Sequence, residues 1–487
     1  MRLLVKILGL ALVILLGLLL WNTFRFTSLQ PTAVAPAPAI PLSDSAITHL
    51  SQAVQYRTIS YHDSSLTDTT QFAAFISFLE KTYPLVHSRM TRERINHFAL
   101  LYQLKGSNPS LKPLLMMGHY DVVPVIEGTE SLWKKAPFSG TVQDGFVYGR
   151  GTLDDKSTVL GLLEAMEILL KQGFQPSRTI YFSFGNDEEV SGHKGGRALA
   201  HTLEKRGVQL EMVIDEGGTI KTDGVAGLTQ PVALIGTAEK GYTSLELTAR
   251  GEGGHSSMPP QKTSIGMLAT ALDQLQKTPF PSSLGGTVGE MLRYLGPQMP
   301  FVQRMAIANQ WLLAPILINS FGATPSGAAS THTTMAPTIL KAGIKDNVLP
   351  IDATAIVNFR ILPGETVQGV LAHVKKAIDN PDIEVKSLRE SDSEPSAVSP
   401  SNAEPFQILS RTIKSCYPDV LVTPYLVLGA TDSRYYRSLS PNVYRFTPYQ
   451  LDEEDLKRPH GTNERIRVDT YKEMIRFYAT LLKNAAQ

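Results

Sequence analysis

Three apolar runs between residues 112 and 215 lack the polar alternation of a half-exposed strand: "KPLLMMGH" (112–119), "RTIYFSFG" (178–185) and "EMVID" (211–215). Continuous runs of this length predict strands buried on both faces, as in parallel sheets. "DSAITHLSQAVQYR" (44–57), "TQFAAFISFLEKTYP" (70–84) and "DKSTVLGLLEAMEILLKQG" (155–173) instead repeat their apolar positions every three to four residues, which predicts helices. Alternating strands and helices predict an α/β domain with a mostly parallel sheet covered by helices. After about Lys240 the order changes. "GYTSLELTAR" (241–250) alternates as a half-exposed strand and "SIGMLATALDQLQK" (264–277) reads as a helix. "TTMAPTILKAG" (333–343) and "DATAIVNFRI" (352–361) follow as strands, "ETVQGVLAHVKKAID" (365–379) as a helix and "DIEVKSLRE" (382–390) as a strand. This β-α-β-β-α-β order predicts a ferredoxin-like α+β unit inserted into the first domain.

The expected organisation is an anchor at 1–21, a linker at 22–44, catalytic-domain halves at 45–239 and 393–487, and a lid domain at 240–392. Within the lid, 278–330 is an insertion whose stretch "FVQRMAIANQWLLAPILINSFG" (301–322) is too apolar for a surface loop; it reads as a helical cap or as an extension of the core. The chain begins with an apolar run from about Leu3 to Trp21, interrupted only by Lys6. No small-residue cleavage site follows it closely, so it is expected to remain as a membrane anchor. Arg2 and Lys6 ahead of it place the rest of the chain outside the cytoplasm, in a periplasm or a secretory lumen. "QPTAVAPAPAIPLS" (30–43) is Pro/Ala-rich and is expected to hold the body off the membrane as an extended spacer.

Composition removes several function classes. Lys+Arg 46 against Asp+Glu 45 gives a net charge of +1 and no electrostatic case for nucleic acid. With Cys416 as the single cysteine, neither an internal disulfide nor a cysteine-based zinc cluster is available. Any metal must be held by imidazoles and carboxylates.

Such groups follow the predicted strands. "LLMMGHYDVVPV" carries His119 and Asp121, "FSFGNDEEVSG" carries Glu188 and Glu189, and "EMVIDEGG" carries Asp215 and Glu216. "YGRGTLDDKS" sets Asp154 and Asp155 before a helix. Ligands bind at the carboxyl ends of strands in open α/β sheets, and carboxylates with imidazoles suit zinc. Divalent cations also relieve the repulsion among neighbouring acids such as Asp187, Glu188 and Glu189. His119 and Asp121, two apart in an extended segment, share a side, which suits a carboxylate supporting a ligating imidazole.

"MGHYDVVPV", "YGRGTLDDKS", "GNDEEVSG", "VIDEGG", "GEGGHSSMPP", "VNFRILPG" and "PHGTNER" occur in this order. From about residue 45 to the C-terminus the chain resembles the aminoacylase and carboxypeptidase family of di-zinc amidohydrolases. With "EKGYTSLEL" and "GATDSRYY" it is similar to the branch holding Gly-Xaa carboxypeptidase (carboxypeptidase S) and the N-fatty-acyl-amino-acid synthase/hydrolases. The resemblance implies two Zn2+ per chain held by His119, Asp154, Glu189, Asp215 and His460, with Asp154 bridging and Glu216 the alternative to Asp215. It implies Glu188 as general base, Asp121 as the carboxylate behind His119, and a cis peptide between Asp154 and Asp155. His255 would polarise the scissile carbonyl, Asn347 would assist substrate binding, and Arg360 would clamp a substrate carboxylate. "GATDSRYY", around Thr431 and Asp432, would line the pocket. The implied substrate is a short peptide or an N-acyl amino acid, cleaved at the amide beside a free carboxylate, and a homodimer through the lid is a further implication. A membrane-tethered, non-catalytic binding protein on the same fold is the rival reading; it requires lost ligands or a lost base.

Overall fold

A computed structural model describes residues 1–225, 227–388 and 392–487. Strands Ile180–Gly185, Leu114–His119, Met212–Asp215 and Val443–Arg445 lie side by side and parallel at the centre of a ten-stranded sheet. The three predicted apolar runs are therefore central strands, and the first two are buried along their whole length. The sheet as a whole is mixed rather than mostly parallel. Ala99–Leu104 and Thr91–Ile95 add antiparallel to one side, and Val232–Glu239 joins Val443–Arg445 antiparallel on the other. A short reversal joins the outer pair Thr91–Ile95 and Ala99–Leu104, whereas the three central strands that come first in the chain are linked through helical crossovers. Helix Lys156–Lys171 packs on the central strands with the C-terminal helix Val468–Ala485, and the main core lies between these helices and the sheet.

The smaller domain has a core of its own, with Leu245, Leu247, Val357, Phe359, Val370 and Val374 among its buried residues. Its four strands run Thr334–Ala342, Asp352–Ile361, Gly241–Arg250, Ile383–Ser387 across an antiparallel sheet. Helices Ser264–Lys277 and Val367–Ile378 pack on it, which completes the split β-α-β-β-α-β connectivity. The last two positions of the strand expected at 382–390 lie outside the described residues.

The insertion is helical: Gly286–Leu295, Phe301–Ala308, Gln310–Gly322 and Pro325–Thr331. The N-terminal helix runs Arg2–Arg25 and is long and apolar enough to cross a membrane. The Pro/Ala-rich segment after it does not stand free of the body. Gln30 bonds the backbone of Val422 in both directions at 2.8 Å, Ala37 N–H donates to Ser415 O at 2.8 Å, and Arg476 donates to Ala37 O at 2.6 Å. Extended backbone has unpaired N–H and C=O groups, and here the body pairs several of them.

Candidate di-metal active site

Three adjacent parallel strands deliver three of the acid-bearing loops to one sheet edge. His119 ends the first strand, Glu188 and Glu189 follow the second, and Asp215 and Glu216 end the third. Asp154 comes from the loop before helix Lys156–Lys171, and His460 from the loop before strand Arg465–Arg467.

These side chains form two groups that share one member. His119 Nε2 lies 2.9 Å from Asp154 Oδ1 and 3.2 Å from Glu216 Oε1. His460 Nε2 lies 3.0 Å from Asp154 Oδ2 and 3.0 Å from Glu189 Oε2. Within each group the potential ligand atoms all fall within 4.8 Å of one another. Asp154 thus offers one oxygen to each group, the arrangement a bridging carboxylate requires.

Asp215 is not in either group. Its Oδ2 accepts the Ser433 N–H at 2.8 Å, and Glu216 occupies the place beside His119 and Asp154. Adjacent side chains leave a strand in opposite directions, so only one of this pair faces the site. The backbone that holds Asp215 comes from "GATDSRYY": Thr431 donates to Glu239 and Ser433 to Asp215. Asp432 stands against Gly192, which has a positive φ of 63° and where a Cβ would collide with the Asp432 carboxylate. That stretch packs against the loops that carry Glu188, Glu189 and Asp215.

Electrostatics separate the roles of the acids. Asp187, first of the three consecutive carboxylates, accepts the N–H groups of Lys194 and Gly195, both at 2.7 Å, and so fixes its own loop. Burial holds the Glu188 carboxyl well above the usual carboxylate range and pushes Glu216 up to about 7. Burial opposes charge on Asp154 too, yet hydrogen bonds from His119 and His460 keep its pKa below the ordinary value. Hydrogen bonds to Asp154 and Glu189 raise His460 to about 10. Glu189 Oε1 is buried without a hydrogen-bond partner among the described residues. Imidazoles and crowded carboxylates with an unsatisfied buried oxygen fit a pair of divalent cations, which would satisfy the oxygen and offset the repulsion. The peptide Asp154–Asp155 is cis, as the resemblance implied.

Glu464 and Arg150 were not singled out from the sequence, although both lie in quoted motifs. Glu464 is fully buried and takes N–H groups from Gly151 at 2.9 Å, Leu153 at 2.8 Å and Asp154 at 3.2 Å. Arg150 donates to Glu464 at 2.6 Å and to the carbonyls of His460 and Gly461 at 3.2 and 3.0 Å. The pair fastens the Asp154 loop to the His460 loop. The only signal for it was position: a charged residue four beyond His460 and another four before Asp154.

The remaining candidates belong to the smaller domain. His255 is exposed on a two-stranded ribbon with Val348–Leu349, and its Nδ1 lies 2.8 Å from Ser257 Oγ. Asn347 precedes that ribbon strand, and its Oδ1 is buried without a partner. Arg360 lies over the Tyr242 ring at 4.8 Å, and burial lowers its pKa. The structure brings none of these three into the two ligand groups.

Residues 115–484 match Peptidase family M20/M25/M40. The chain belongs to this family. It is 39% identical to the N-fatty-acyl-amino acid synthase/hydrolase PM20D1 of Xenopus tropicalis, across 97% of this chain and 93% of that protein. Identity to the human protein of the same name is 41%, across 90% and 87%. Probable carboxypeptidase S-like 2 of Dictyostelium discoideum is 37% identical across 97% and 92%. Among solved structures, the M20 metallo-carboxypeptidase Sso-CP2 of Sulfolobus solfataricus superposes with a TM-score of 0.64 at 20% identity, covering 91% of this chain and 99% of that one. Bacillus subtilis YXEP, described as a dinuclear metal-binding peptidase of the M20 family, gives a TM-score of 0.55 at 14% identity, covering 91% and 99%. The protein is accordingly a hydrolase of the M20 type, and the two ligand groups that share Asp154 are its candidate dinuclear metal site. The non-catalytic reading is not favoured, since His119, Asp154, Glu188, Glu189 and His460 are all in place.

Proposed function

We propose that the protein hydrolyses the amide of N-acyl amino acids beside their free carboxylate, using two zinc ions, and forms the same bond when fatty acid and amino acid are abundant. The observation that carries the catalytic part is Asp154, shared between two ligand groups while the half-buried Glu188 belongs to neither. His119, Asp154 and Glu216 would hold one ion, and Asp154, Glu189 and His460 the other, with Glu216 replacing Asp215. Bound there, the ions supply an acidified water and a Lewis acid for the carbonyl. Glu188, whose carboxyl burial makes reluctant to ionise, would act as the base beside the ions, taking the proton from the attacking water and returning it to the leaving nitrogen. Asp121 keeps His119 oriented through both steps.

The smaller domain would act as the lid. Arg360 forms no ion pair among the described residues and is half-buried, so a substrate carboxylate would find a preformed cationic partner in its planar fork. Domain closure would bring Arg360 and Asn347 over the metals; His255 would come from this lid or from a second copy paired through exposed strand Thr334–Ala342. The N-terminal helix would span a membrane, with Arg2 and Lys6 inside and the catalytic body outside the cytoplasm.

An apolar insertion beside the lid and the likeness to the PM20D1 proteins support a lipophilic acyl group. The likeness to carboxypeptidase S-like proteins supports a second reading, cleavage of short peptides. Turnover of N-oleoyl-phenylalanine and of Gly-Leu by the zinc-loaded full chain separates the two. Cleavage of Gly-Leu alone would overturn the acyl-amino-acid reading, and cleavage of neither would overturn both.

A further inference from the structure

The N-terminal helix does not end in open solvent. Asn22 Nδ2 donates to Asn309 Oδ1 at 2.9 Å, and Asn309 Nδ2 donates to Leu19 O at 3.1 Å and Met305 O at 2.8 Å. Asn309 is 0% exposed and sits at the joint between helices Phe301–Ala308 and Gln310–Gly322, which bend by 119°. Close by, Arg304 donates to Phe26 O at 2.8 Å, and the Phe24 and Phe301 rings lie 6.2 Å apart. The Phe26 ring occupies the space a side chain at Gly296 would need.

The bent pair has the chemistry of a membrane element. Between Met305 and Leu340 the chain carries no Asp, Glu, Lys or Arg. In the second helix Ala314, Leu317, Ile318 and Phe321 pack toward Val288 and Leu292. The rest of its surface is uncovered and apolar over the first two turns, with Trp311 and Ile316 each 62% and Leu312 42% exposed, before exposed Asn319 and Ser320 near its end; on the first helix Val302 is 70% exposed. A soluble surface helix presents polar groups there, and a contiguous apolar patch marks an interaction surface.

The N-terminal helix indicates what covers the patch. Its first eighteen residues touch almost nothing in the body, which is the exposure of a lipid-facing span. At about 1.5 Å rise per residue, Leu3 to Asn22 fill a hydrocarbon layer of roughly 30 Å. Leu19 and Asn22 then lie within about one turn of its boundary, and their hydrogen bonds put Asn309 at that level. Trp21 and Trp311 both fall there, in the layer that tryptophan favours. We infer that the bent helix pair Phe301–Gly322 is a second membrane-contact surface, seated among the acyl chains and headgroups of the leaflet from which the N-terminal helix emerges. The body would then be fixed against the bilayer in one orientation.

This inference rests on reading the N-terminal helix as a span, and the experiment keeps the two apart. Cys416 is buried, so a cysteine added at L12C, I316C or I344C is the reactive one. Ile344, 97% exposed on the smaller domain, serves as the aqueous control. Each full-length variant is labelled with bimane in detergent and reconstituted into phosphatidylcholine vesicles with or without brominated acyl chains. The expected result is loss of most bimane emission at L12C and I316C and no loss at I344C. Quenching at L12C without quenching at I316C overturns the inference and leaves the span standing, including the case where a second copy covers the patch. Absence of quenching at both positions removes the span and the inference together.

Discussion

Asp121 accepts the backbone N–H of Glu188 at 3.2 Å through Oδ1, the same oxygen that lies 3.3 Å from Nδ1 of His119. Its Oδ2 takes the Glu189 N–H at 3.2 Å and the Ser60 hydroxyl at 2.6 Å. One buried carboxylate therefore sets the orientation of the His119 imidazole and of the backbone at Glu188 and Glu189, the residues proposed as ligand, base and ligand. Asp121→Ala is expected to weaken metal binding about 10- to 100-fold, the usual cost of losing an outer partner of a ligating histidine. Competition with a chromogenic chelator measures it. Unchanged affinity would show that the Asp121 backbone carbonyl, 3.1 Å from His119 Nδ1, suffices alone.

Glu188 and the ligands differ in what their loss does. Glu188→Gln removes the proposed proton acceptor and keeps the shape, so two metal ions per chain are expected to remain. Turnover is expected to fall by about 10²- to 10⁴-fold, the contribution typical of a positioned base. Metal analysis beside steady-state rates checks both halves, and a variant that turns over normally would exclude Glu188 as the base.

Much of this site was legible in the sequence, for a physical reason. A strand buried on both faces must be apolar throughout, so a carboxylate or imidazole at its end stands out, as His119 and Glu189 do. The same reasoning fails at the sheet margins: "TRERI" (91–95) is a polar edge strand with no apolar run to betray it. It fails again between Asp215 and Glu216, because the direction of each side chain depends on Ser433, far along the chain. The resemblance implied Asp215, and the geometry favours Glu216. Glu216→Gln is expected to reduce bound metal from two ions to one, while Asp215→Asn keeps both; the reverse result in metal analysis would restore Asp215.

Arg360 gives a prediction about substrate affinity. Hydrogen bonds to charged groups contribute about 1.5–3 kcal/mol each, so losing a carboxylate clamp corresponds to roughly a 10- to 100-fold rise in KM. Arg360→Ala is expected to show that rise with a carboxylate substrate and little change with its amide-capped analogue. Equal KM values for the variant and the parent protein on the free acid would exclude the clamp.

Lys240, which is in neither ligand group, yields a pH dependence of stability. Its Nζ donates to Ala329 O at 2.7 Å and His332 O at 2.8 Å, tying the junction between strands Val232–Glu239 and Gly241–Arg250 to the end of the insertion. Burial depresses its pKa to about 8, below the ordinary 10.5, because the charged ammonium is poorly solvated there. The unfolded chain then binds more protons than the folded one between these values, so folded stability must rise with pH in that window. Below about pH 8 the cost of the buried charge is fully present; by about pH 10.5 it is relieved. Lys240→Met abolishes the titration, although it also sacrifices two hydrogen bonds. The difference in Tm, parent minus variant, is therefore expected to grow as pH rises from 7 to 10. A difference that stays flat would mean that the Lys240 ammonium reaches solvent in the folded protein.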